Sequence, residues 1–193
     1  MGRKHPDWLV LDEDECWFSR FTPPPFSAWT PQDPIRRVEQ DAREKAHPAV
    51  TCYGVRRHDT HQVCLAFCDG QPRSEVTWEF IQGLLAWARQ EAKRVVVLIW
   101  DNAGWHLSNR LRDWIHRYNR QAKRTDDVRL LTHLLPRKSP WLNPIEPCWL
   151  HAKRATCEPN AVLDADELKR RLCAYFAIRP SSLPFNLCVP ILH

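Results

Sequence analysis

Glycine is scarce in this chain, five in 193 residues, and no segment spells a phosphate-binding P-loop or a dinucleotide-binding glycine fingerprint. P-loop nucleotide hydrolysis and Rossmann-type redox chemistry therefore lack their backbone machinery. No apolar stretch approaches the roughly 20 residues that span a bilayer. The segment Met1 to Val10 lacks the apolar core and small-residue cleavage site of a signal peptide. Pro6 stands where a myristoylation motif wants Ser or Thr. Internal repeats and low-complexity tracts are absent as well. These absences predict a soluble intracellular protein whose eight cysteines are reduced thiols. Cys52, Cys64, Cys68 and Cys173 lie in apolar runs, where free cysteine behaves as a small hydrophobe.

What is present suits one globular domain: 193 residues, 44% of them hydrophobic. The formal net charge is +5, and its distribution says more than its size. Between Arg110 and Arg124 stand six Lys or Arg residues against one acid, Asp113. Smaller basic clusters lie at Arg36-Arg37, Arg56-Arg57, Lys153-Arg154 and Lys169-Arg170-Arg171. Any one of them reads as a solvated face; together they point toward a nucleic-acid partner.

Hydrophobic patterning predicts a first strand at Trp8–Leu11, ending at the acidic group Asp12-Glu13-Asp14-Glu15. Phe26–Trp29 and Ile35–Val38 are candidate short extended pieces in a proline-rich, charged connection. Ala49–Val55 and Gln62–Phe67 read as paired strands. Ser74 is the expected cap of a helix reaching about Glu91, and Arg94–Trp100 a strand covered on both faces. Ser108 caps a helix with apolar Leu111, Trp114, Ile115 and Tyr118, followed by a strand at Val128–Leu135. Asn143 starts another helix, and Asp164 with Glu167 opens a last one. Strands first, then alternating helix and strand, imply an α/β fold with a mixed sheet flanked by helices. From Ile178 onward, proline and the lack of helical period predict an irregular tail, giving a domain over 1–177 and a tail over 178–193.

Three carboxylates stand out by position. Asp101 directly follows an apolar strand, where α/β proteins place ligands, though capping the next turn would also explain it. Asn102, Gly104, Trp105 and His106 crowd around it. Glu146 follows Asn143 and Pro144 at capping-box spacing, so capping alone accounts for it, yet a carboxylate in a first helical turn is also well held for a metal. Asp14 belongs to four consecutive acids whose repulsion a cation would relieve. Converging, the three could hold Mg²⁺ ions, two of which about 3.5–4 Å apart support in-line displacement at phosphorus.

The segments Trp-Asp-Asn-Ala-Gly-Trp-His (100–106) and Leu-Pro-Arg-Lys-Ser-Pro-Trp-Leu-Asn-Pro-Ile-Glu-Pro-Cys-Trp (135–149) resemble the second and third catalytic blocks of mariner-like bacterial insertion-sequence transposases of the DDE superfamily. Asp-Glu-Cys-Trp-Phe-Ser-Arg (14–20) resembles the first block, and the resemblance runs over about residues 8–176. It implies an RNase H-like fold, Mg²⁺- or Mn²⁺-dependent DNA strand cleavage and transfer, and Asp14, Asp101 and Glu146 as catalytic metal ligands. Asp14 is preferred to Asp12 because it aligns with the Asp-Glu pair of the block. Transposon ends and target DNA, a homo-oligomer on that DNA, no membrane, and a bacterial cytoplasmic location follow from the same resemblance. So does a departure: the family's helix-turn-helix modules find no room before Trp8, and the tail reads like a shifted frame, so a truncated gene is an expectation too. The 45 positions between Asp101 and Glu146 exceed the gap in many relatives, and an insertion in the basic Gln121–Asp127 connection would accommodate them.

Candidate phosphate contacts are Arg112, Arg117, Arg120 and Lys123, with Lys153; Trp141 is a candidate for contact with DNA bases. His106 and Asn102 are candidates for substrate positioning. His58, His61, Cys64 and Cys68 could be zinc ligands, but two cysteines four residues apart along a strand lie too far apart to chelate together. The competing functions are a catalytically silent DNA-binding remnant of a transposase and an RNase H-like nuclease that cuts without joining.

Overall fold

The apolar run that opens the chain does not stop at its acids. The computed structural model describes residues 5–19, 49–68, 70–156 and 163–191, and in it strand β1 spans Trp8–Ser19, passing straight through Asp12, Glu13, Asp14 and Glu15. The expectation that the strand ends at this group is corrected. Four consecutive charges read as a strand end, but the pleat sends alternate side chains to opposite faces, so no two neighbours share an environment. The extended pieces expected at 26–29 and 35–38 lie outside the described residues.

β2 (Ala49–Arg57) and β3 (Val63–Cys68) follow as antiparallel neighbours of β1, with Asp14 opposite Gly54 and Tyr53 opposite Ala66. β4 (Val95–Trp100) and β5 (Arg129–Leu134) add in parallel on the other side. Among the described residues the sheet has seven strands in the order β5-β4-β1-β2-β3-β7-β6. The expected irregular tail is therefore also corrected: β6 (Ile178–Pro180) and β7 (Cys188–Pro190) pair with each other, and β7 extends the sheet beyond β3 through Leu65 and Cys188. Strands of three residues carry too little pattern to register as a period. Burial of Leu183 and Leu187 against the first helix supplies what pattern does not.

Helices cover both faces. α1 (Ser74–Gln90) presents Phe80, Ile81, Leu84, Leu85 and Ala88 at helical spacing to a core that includes Leu9, Leu11, Val96 and Leu98. Each such side chain contributes about 1.5–3 kcal/mol when fully buried. α2 (Asn109–Thr125) packs on the same face, its start capped by Ser108 Oγ accepting from the Leu111 amide. α3 (Glu146–Thr156) and α4 (Ala165–Tyr175) close the opposite face over Cys16, Phe18, Cys52 and Leu65. Asp164 caps α4 as expected, accepting from the Glu167 amide at 2.7 Å. Cys52 and Cys64 are fully buried, and the seven described cysteines are free thiols. No helix among the described residues is long and apolar enough to cross a membrane.

Two caps differ from expectation. Arg73, not Ser74, precedes α1, and the Ser74 hydroxyl instead donates to the Trp105 carbonyl, pinning the loop after β4. Asn143 turns the chain before α3 with its Oδ1 accepting from the Ile145 amide at 3.4 Å, while its Nδ2 donates 2.9 Å across to the Glu13 carbonyl. The helix proper then begins at Glu146, so the reciprocal capping box does not form.

Candidate active site

Register brings two of the acids together. In the parallel pair β1–β4, Asp12 is the partner of Ile99, and two residues further on each strand stand Asp14 and Asp101. α3 then delivers Glu146 from its first position. All three carboxylates line one open cleft of about 440 Å³, with Asn102, Arg137, Lys138 and Asn143 among its other walls. Asp12 stays out of it. Its side chain is 3% exposed, with both oxygens 2.8 Å from His58 Nε2. Of the two aspartates, Asp14 is the one that lines the cleft.

Each carboxylate is held by its surroundings. The Trp149 indole donates to Asp14 Oδ2 at 2.9 Å. Trp149 reaches that place only because residue 54 has no side chain: a Cβ there would stand 2.2 Å from the ring. Burial and the charge of Glu146 push the Asp14 carboxyl up to about 7, while the Trp149 bond pulls the other way. Asp101 is the reverse case. His106 Nδ1 donates to its Oδ1 at 2.9 Å, outweighing partial burial, and the Ala103 amide adds a bond at 2.8 Å, so its carboxyl lies below the usual range. Asn102 Nδ2 donates to the Leu135 carbonyl, tying the ends of β4 and β5 and turning its amide to the protein.

Behind the cleft, on the other face of β1, lie Glu13 and Glu15. Glu13 is fully buried, and burial first, then the Glu15 charge, raise its carboxyl well above the ordinary range against the pull of His106. Burial lowers the His106 imidazole, but Glu13, the Asp101 hydrogen bond and Glu15 overrule it and raise it to about 10. Trp105 Nε1 donates to Glu15 at 2.6 Å, and the Trp100 ring stacks on His106 with centroids 4.5 Å apart.

The remaining candidates scatter. Arg112, Arg117, Arg120 and Lys123 are exposed on α2, and Arg117, Arg120 and Arg124 border a shallow hollow of about 590 Å³. Those three lie about 12–22 Å along the helix from its N-terminus, the end nearer the cleft. Trp141, 75% exposed, sits in a 3₁₀ turn at Pro140–Leu142 beside the cleft. Lys153 lies two turns after Glu146 on α3, its ammonium 5.8 Å from the Phe18 ring centre. His58, His61, Cys64 and Cys68 form no zinc set: His58 binds Asp12, His61 binds Arg56 and Cys64 is core. Sequence reasoning missed Gly54, Trp149, Arg137 and Lys138, although the last three lie inside the 135–149 block that carried the resemblance.

The family model for the DDE superfamily endonuclease matches residues 10–169. The chain belongs to this family. Among solved structures it is similar to the Mos1 transposase paired-end complex with left transposon end (TM-score 0.60, 16% identity, 87% of this chain and 47% of that one). It is likewise similar to the Mos1 mariner paired-end complex with Mn (0.59, 16%, 87% and 48%) and to the Mos1 strand transfer complex (0.52, 17%, 89% and 47%). The chain thus spans about half the length of those chains. No match was found among curated protein sequences. At these identities the likeness is one of fold, and it makes the DDE domain described here an RNase H-like one, as the sequence had implied.

Proposed function

We propose that this chain is a transposase catalytic domain that cuts DNA and transfers the cut strand, with Asp14, Asp101 and Glu146 holding one or two Mg²⁺ or Mn²⁺ ions. One observation carries the reading: three carboxylates from distant stretches of sequence line a single open cleft. The donor set fits the ions, since hard divalent cations take carboxylate oxygens. The Glu146 charge that raises Asp14 is a repulsion that a cation relieves. When bound, the metal supplies activation of a water or 3′-hydroxyl and stabilisation of the leaving oxygen.

The chain's own residues orient and hold. Trp149 fixes Asp14, while His106 and the Ala103 amide fix Asp101, so the carboxylates need little rearrangement to bind. Asn102 ties down the β5 end from the cleft wall, where it can also help position substrate. Arg137 and Lys138 offer positive charge to a scissile phosphate at the cleft wall. Trp141 offers a face on which an unpaired base stacks. Arg112, Arg117, Arg120, Lys123 and Lys153 hold flanking phosphates, giving affinity that carries little sequence information. Likeness to complexes with paired transposon ends supports DNA ends as partners and a homo-oligomer on DNA as the working form.

The test uses labelled supercoiled and pre-nicked DNA with Mg²⁺ or Mn²⁺, an Asp101→Asn variant and an EDTA control. Metal-dependent nicking and joined products from the wild type alone are expected. Nicks without joining would make it a nuclease; DNA binding without metal-dependent cleavage would leave a silent remnant.

A further inference from the structure

The four acids of β1 serve two sites, and only one is the cleft. His106 Nδ1 is committed as a donor to Asp101, which leaves Nε2 facing two carboxylates: 3.3 Å from Glu13 Oε2 and 3.3 Å from Glu15 Oε1. The three donor atoms lie within 4.8 Å of one another. Among the described residues neither Glu13 oxygen nor His106 Nε2 has a hydrogen-bond partner, and the Glu13 and His106 side chains are 0% exposed. Two buried carboxylates facing one imidazole nitrogen need positive charge among them, and either protons or a cation can supply it.

We propose that Glu13, Glu15 and His106 form a buried binding site for a divalent transition-metal cation, Zn²⁺ by its geometry, separate from the cleft. Size separates zinc from magnesium. Tetrahedral bonds of about 2.0–2.1 Å give donor–donor edges of roughly 3.3–3.4 Å. Octahedral Mg²⁺ at similar bond lengths gives about 2.9 Å. The two nitrogen–oxygen edges, 3.3 Å each, suit the tetrahedron, and the third lies within 4.8 Å. The donor chemistry agrees, since imidazole nitrogen suits zinc while all-oxygen sets suit magnesium. Charge is compatible as well: two carboxylates, a neutral imidazole and a divalent ion sum to zero.

The outer contacts are those of a metal-bound histidine. Asp101 accepts the far N–H of His106, the carboxylate–histidine–metal arrangement that fixes the ring and its tautomer. Trp100 stacks on the ring, and Trp105 steadies Glu15 from a loop pinned by Ser74. The fourth position is left to water. Through His106 this ion sits one side chain behind Asp101 and stiffens the wall of the cleft without facing DNA.

The test is Co²⁺ binding to the full chain, purified without chelator and followed by visible absorption, with zinc content measured in parallel. One tight equivalent with intense tetrahedral bands, and without a thiolate charge-transfer band from cysteine, is expected. The bands persist in an Asp14→Asn/Glu146→Gln variant, which disables the cleft, and vanish in Glu13→Gln/Glu15→Gln. Asp101→Asn keeps the bands but weakens Zn²⁺ binding about 10–100-fold, as loss of an outer contact does. A folded wild type with no tetrahedral band in excess Co²⁺ overturns the proposal, as does a band that disappears with the cleft carboxylates. None of these readouts needs DNA cleavage, so failure here and failure of the transposase reading are distinct, and the first two proteins decide even where the Glu13 variant does not fold.

Discussion

One strand presents two acidic faces that could hardly differ more. Asp14 opens onto a cleft with two other carboxylates and basic walls, while Glu13 and Glu15, its immediate neighbours, point inward to His106, on which Trp100 stacks. Chemistry that must admit DNA and release product needs the first kind of place. The second suits something that stays. The pleat alone makes the difference: one residue of shift exchanges the two faces, so the register of β1 against β4 decides which acid meets Asp101 and Glu146.

The largest predicted effect breaks the open face. Asp101→Asn, and equally Asp14→Asn, is expected to lower metal-dependent DNA nicking by roughly three orders of magnitude or more, the scale for removing one member of a catalytic set. The check is initial rates on supercoiled DNA at saturating Mn²⁺, with DNA affinity unchanged. Gly54→Ala breaks the same face indirectly. Its new methyl collides with Trp149, so stability falls by about 1–3 kcal/mol and nicking falls with it; denaturant unfolding beside rates measures both. Trp149→Phe removes the bond to Asp14 while keeping most of the packing, and about a tenfold loss of Mn²⁺ affinity is expected by titration.

A smaller effect sharpens the contrast with the closed face. In chelator, Glu13→Gln replaces a carboxyl whose ionised form burial and the Glu15 charge disfavour, and Tm rises by a few degrees, at about 2–4 °C per kcal/mol for a chain of this size. In zinc the order reverses. Calorimetry under both conditions reads the sign. The smallest effect lies away from both faces: Arg117→Ala with Arg120→Ala lowers the salt slope of DNA binding by about one per lost phosphate contact and leaves the rate on bound DNA unchanged.

Much of this was legible in the sequence because it depends on local signals. Asp101 at the end of an apolar run, Ser108 and Asp164 as caps and the stripes of α1 and α2 all announce themselves within a few residues. The course of β1 through four acids did not, because what makes it tolerable comes from afar: His58 for Asp12, and His106 and Trp105 for the glutamates. Gly54 had no readable role, since its partner Trp149 is 95 residues away. Asn143 showed its turn but not its bond to the Glu13 carbonyl, which exists only once α3 lies on β1. The C-terminal strands failed for a simpler reason: three residues are shorter than the pattern that would reveal them.

The most direct measurement is anomalous diffraction from crystals grown in Mn²⁺. A manganese peak bounded by the carboxylates of Asp14, Asp101 and Glu146, lost in Asp101→Asn, is the predicted result. A clean map at saturating Mn²⁺ with no peak in that cleft would contradict the assignment of these three acids as the metal centre.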